Sequence, residues 1–61
     1  MHIDLTDDQA DLLRQVLDGA FRELRYEIAD TDNSGFKAQL REREAHLGAL
    51  LELVGGPLPD A

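Results

Sequence analysis

The chain has no cysteine and no tryptophan among its 61 residues. Without cysteine, neither a disulfide framework nor a thiolate metal site can exist. Aromatics are scarce at 5%, while hydrophobic residues reach 43%, so any core must be built from leucine and its aliphatic relatives. Bases are few: 6 against 13 acids, a formal net charge of -7. A surface this acidic repels phosphate backbones, so nucleic acid is not an expected partner. No apolar run approaches the roughly 20 residues of a membrane span. Helices that lie on membranes carry a lysine- and arginine-rich polar face, and this chain has one lysine, Lys37. The N-terminus lacks the basic and apolar regions of a secretory leader. Together these absences predict a cytoplasmic protein with no membrane partner.

What is present is helical periodicity over a single unit spanning residues 1–61. Thr6 followed three residues later by Gln9 reads as a capping box. Asp7 and Asp8 then fall in a first turn, where negative charge suits the helix dipole. Apolar residues follow at Ala10, Leu13, Leu17, Ala20, Leu24 and Ile28, with Leu12, Val16 and Phe21 beside them. Spacings of three and four mark an amphipathic helix over about 7–30. The pattern breaks at Asn33-Ser34-Gly35. It resumes at Phe36, Leu40, Arg43, Leu47, Leu50 and Val54, a heptad seam with one charged member. Leu51 and Leu53 widen its end. Gly55-Gly56-Pro57 is a helix stop, which predicts a second helix over about 33–54 and a loose tail at 57–61.

Two long helices joined by a short connection make an antiparallel hairpin. The fold class is therefore all-α. One apolar seam of about a dozen side chains is small against the entropy of ordering two helices. Leu12 and Val16 on the first helix, and Leu51 and Leu53 on the second, lie off the main seam at the open end. A second chain is expected to cover them, giving a homodimeric four-helix bundle, with a tetramer as the alternative. The expected core and interface are Leu12, Leu13, Val16, Leu17, Leu24, Ile28, Phe36, Leu40, Leu47, Leu50, Leu51 and Val54. Acids crowd the N-terminus (Asp4, Asp7, Asp8, Asp11), and five of the six bases lie in the middle of the chain. Hairpins stacked antiparallel, turn end against open end, would bring those opposite charges together.

The run from Leu24 to Leu47 carries a more specific pattern at Arg25, Glu27, Ile28, Thr31, Asp32, Phe36, Lys37, Leu40, Arg43, Glu44 and Leu47. It resembles a group of short, uncharacterised bacterial proteins over a little under half of the chain. The resemblance implies a two-helix hairpin and brings no activity with it. Ser34-Gly35 departs from the charged residues such proteins carry there.

Four chemistries can be weighed against the residues. Asp30-Thr31-Asp32-Asn33-Ser34-Gly35 reads like the front of an EF-hand loop, but the closing bidentate glutamate is replaced by Arg41. The simpler reading is a turn, with Thr31 closing the first helix and Asp32 capping the second. Glu27 and Arg43 sit on seam positions, and their opposite charges predict a register-fixing ion pair, within the hairpin or across a dimer. Carboxylate-bridged metal bundles need Glu-x-x-His on a helix. Arg43 stands three residues before His46, so no metal or other cofactor is expected. No nucleophile has a base near it in sequence: Ser34 has no nearby histidine, and Thr6 and Thr31 look like helix-end residues. The chain thus reads as a non-enzymatic structural or protein-interaction module that self-associates through an apolar helical face. The alternative is a small acidic regulator, of antitoxin or anti-activator type, on a basic protein partner. A weaker one is a metal-binding bundle.

Overall fold

A computed structural model describes residues 1–59. It consists of α1 (Asp7–Asp30) and α2 (Ser34–Leu53), packed against each other as a hairpin. No strand occurs among the described residues.

Each helix end has an identifiable cause. At the start of α1, Thr6 Oγ1 accepts from the Gln9 amide (3.1 Å) and the Thr6 amide donates to Gln9 Oε1 (3.0 Å). Two otherwise orphaned amides are met by this reciprocal pair. α1 stops where Thr31 becomes extended (φ -90°, ψ 136°), its amide still bonded to the Glu27 carbonyl. The cap of α2 differs from expectation. Asn33, not Asp32, holds that place, and its Oδ1 accepts from the Phe36 amide at 2.9 Å. A capping side chain must sit on the residue directly before the first helical one to reach the third amide, and Asp32 is one position too early.

α2 ends in a Schellman motif. The Gly56 amide reaches back to the Leu51 carbonyl (2.9 Å) and the Gly55 amide to that of Glu52 (3.4 Å). Both glycines have positive φ, 116° and 83°, where a side chain would be strained. The chain then doubles back along α1. In the tail expected to be loose, Pro57 and Leu58 make hydrogen bonds to side chains of α1; Asp60 and Ala61 lie outside the described residues.

Leu24, Leu40 and Leu51 form the buried core, and Leu51 is the deepest at 1% exposure. Leu13, Leu17, Ala20, Phe21, Ile28, Leu47 and Val54 flank them, half-buried. A Cβ at Gly48 would lie 3.3 Å from Phe21 Cε1, so the missing side chain is what lets the ring rest against α2.

The register of α2 departs from the heptad reading. Leu51, expected off the seam and under a second chain, is its most buried member, and Glu44 is half-covered. Arg43 and Leu50, expected in the seam, are exposed, and so is Phe36. A straight helix has 3.6 residues per turn and drifts away from a 3.5-residue repeat unless it supercoils. At about 100° per residue, Leu40, Glu44, Leu47 and Leu51 fall within about 60° of one another, while Arg43 and Leu50 lie about 60–80° round from Leu40 to one side, so the inner stripe runs through 44 and 51 and not 43 and 50. The molecule spans 41 × 33 × 12 Å, a single layer of two helices. Each helix contributes one stripe to the seam, and the two broad flanks of the layer are left for other contacts.

Candidate functional site

The two flanks are unlike. On one, Arg14, Asp18 and Arg22 recur every four residues and so line up along α1. The returning chain lies over them. Arg14 Nε donates to the Gly56 carbonyl (2.7 Å) and Nη2 to that of Pro57 (3.1 Å). Arg22 Nη2 donates to the Leu58 carbonyl (2.9 Å), and the Leu58 amide donates to Asp18 Oδ1 (3.1 Å). Asp18 Oδ2 accepts from Arg22 Nε at 2.8 Å. Asp18 is only 6% exposed, yet both of its oxygens are satisfied. A buried carboxylate is tolerated under that condition. No reading of the sequence singled out this trio. Its one sequence signal is the four-residue spacing of Arg, Asp and Arg, which by itself describes an ordinary exposed helix face.

The opposite flank is apolar and open. Leu12 and Val16 each stand two residues before a strap-holding residue, hence about 200° round the helix from it. They are 60% and 58% exposed. On α2, Leu50 stands in the same relation to Gly48, the residue facing Phe21, and is 48% exposed. Leu50 also borders a shallow groove with Gln39, Glu42, Arg43, His46 and Leu47. Glu27, three helical turns beyond Val16, and Arg43, two turns before Leu50, belong to this flank as well. Both are exposed, and no ion pair joins them within the chain; among the described residues the ion pairs are His2–Asp4 and Arg22–Asp18. The register pair within the hairpin is thus absent, because neither residue lies in the seam.

The surface area says how much is left over. A compact monomer of 6.8 kDa exposes about 4,000 Å² on the size scaling of folded proteins. This chain exposes 5015 Å². The excess, about 1,000 Å², reflects a thin two-helix layer and an exposed N-terminal segment, residues 1–6.

Other candidates occupy plainer places. The helices run to Asp30 and from Ser34, so the connection between them is residues 31–33. An EF-hand needs a twelve-residue loop free to wrap its ion, and that segment is too short. His46 and Glu42 are both exposed beside the α2 groove. Among the described residues, no three metal-ligating side chains gather at one point. No helix there is long and apolar enough to cross a membrane. No family model, no curated protein and no solved structure matches the chain.

Proposed function

We propose that this chain is a non-enzymatic self-association module. Two copies pair through the Leu12–Val16–Leu50 flank to form a dimeric four-helix bundle. The observation that carries this is the exposed apolar flank, on a molecule with about 1,000 Å² more surface than its mass requires. Apolar patches of this kind mark interaction sites. A second copy is the natural occupant because the patch sits on a single helical layer 12 Å thick, which a second layer would cover. An isologous contact needs only one such surface.

Charge favours antiparallel stacking about the patch. That arrangement carries the bases of the middle of one chain, Arg43 among them, toward the acidic Asp4, Asp7 and Asp8 of the other. Arg43 is then an interface residue whose acidic partners come from the second chain. The test is the mass in solution, by sedimentation equilibrium at about physiological ionic strength, where surface charges are partly screened. The expected value is twice the 6.8 kDa of the chain. A folded, helical species at the single-chain mass would overturn the reading.

A further inference from the structure

The flank opposite the apolar patch holds a full set of partners for a stretch of non-helical main chain. Three successive carbonyls, those of Gly56, Pro57 and Leu58, receive arginine donors. The amide of Leu58 goes to Asp18, and that of Gly56 is already bonded within the helix cap. Pro57 and Pro59 bring no amide. Every backbone polar group of the segment from Gly56 to the Leu58 carbonyl therefore has a partner. Proline disfavours the helical region for the residue before it, which applies here to Leu58 before Pro59; Gly56 instead has positive φ, 83°.

Closing α2 does not require these contacts, because the Schellman motif is complete at Gly56. Three charged side chains are nevertheless committed to the segment beyond the helix cap, one of them a buried carboxylate. Their bonds to Gly56, Pro57 and Leu58 are to main-chain atoms, so these contacts read a backbone pattern. The segment follows directly on Gly55 and Gly56, both at positive φ and both bonded in the helix cap.

We propose that the Arg14–Asp18–Arg22 strip is a binding site for a proline-flanked segment of another protein, of the form Gly-Pro-Leu-Pro. The chain's own Gly56–Pro57–Leu58 is its tethered occupant. Hydrogen bonds to ionised side chains give such a strip both strength and direction, and preformed prolyl segments bind at low entropic cost. A short tether places the resident segment at an effective concentration in the millimolar range. An outside segment then competes at similar concentrations, and far more readily once the resident one is loosened.

The experiment is a titration of the 15N-labelled full chain with acetyl-Gly-Pro-Leu-Pro-amide up to about 10 mM, the scale set by the tether. The expected result is a saturable shift of the Leu58 amide, as the tail is displaced, together with amides around Asp18. The full-length double variant Pro57→Gly, Leu58→Gly is expected to bind the same peptide at least tenfold more tightly. Adding Asp18→Ala to it should abolish the shifts. Circular dichroism checks the fold of each variant, and if the double variant loses its helices the wild-type titration decides alone. Absence of a saturable shift in the wild type overturns the proposal. So do shifts in a folded double variant that survive the loss of Asp18.

Discussion

At the residue scale, Asp18 does more than its place in the sequence suggests. An aspartate four residues before an arginine reads as a surface ion pair worth a few tenths of a kcal/mol. Here the same carboxylate also accepts the Leu58 amide under cover of the tail. Its removal leaves that amide without a partner, so Asp18→Ala should cost about 1–3 kcal/mol, read from urea denaturation at fixed protein concentration. Faster hydrogen exchange at Leu58 should accompany it. A cost no larger than that of an exposed helical aspartate would mean that the tail contributes nothing to stability. The helix-start residues give a sharper contrast. Asn33→Ala should cost about 1 kcal/mol by loss of the cap to the Phe36 amide. Asp32→Ala, one position away and exposed, should change stability by no more than about 0.5 kcal/mol. Equal effects would place the cap elsewhere. Sequence composition could not choose between these neighbours, since both are good capping types; the extended backbone at Asn33 made the choice.

At the scale of elements, the helices were the most legible part of the chain. The capping box, the three-and-four spacing and the glycine stop are local features, acting over a few residues. The observed bounds, Asp7–Asp30 and Ser34–Leu53, fall within a residue of those read from the pattern. The inner stripe of α2 was legible only in part. Leu40 and Leu47 are common to the heptad and to the straight helix, while Arg43 and Leu50 belong to the heptad alone. The glycines show the same division between local and tertiary demands. Gly19 is exposed in mid-helix with nothing within 4 Å of where a Cβ would lie. Gly19→Ala should therefore raise stability by about 0.5–1 kcal/mol. Gly55 has φ at +116°, so Gly55→Ala should lower it by at least about 1 kcal/mol. Thermal melts of the two variants, run at one concentration, should move in opposite directions. A shift of the same sign in both would contradict the helix-cap geometry.

At the scale of the whole molecule, the proposal is that a single helical layer associates with a second copy. Val16→Glu puts a charge into the centre of the proposed contact, where no basic partner is on hand to offset its desolvation. The variant should sediment at the single-chain mass under conditions where the parent has twice that mass. Tyr26→Gln, at a well exposed position on the outer side of α1, should leave the mass unchanged. The parent's melting temperature should also rise with protein concentration, as it does whenever folding and pairing are linked. A concentration-independent melt would separate the fold from any pairing.

By itself, the sequence determined that there are two helices, where they begin and end, and that they fold back on one another. Those outcomes rest on caps, periodicity and a short connection, all of them local. Only the tertiary structure decided which leucines meet, and that the terminal segment lies on α1. The bonds that hold it join residues 36 to 43 positions apart. A hydrogen bond across that distance leaves no mark on local spacing. It depends on α2 first bringing Gly56 back beside Arg14, and on the helix phase that turns Arg14, Asp18 and Arg22 to one flank and Leu12, Val16 and Leu50 to the other.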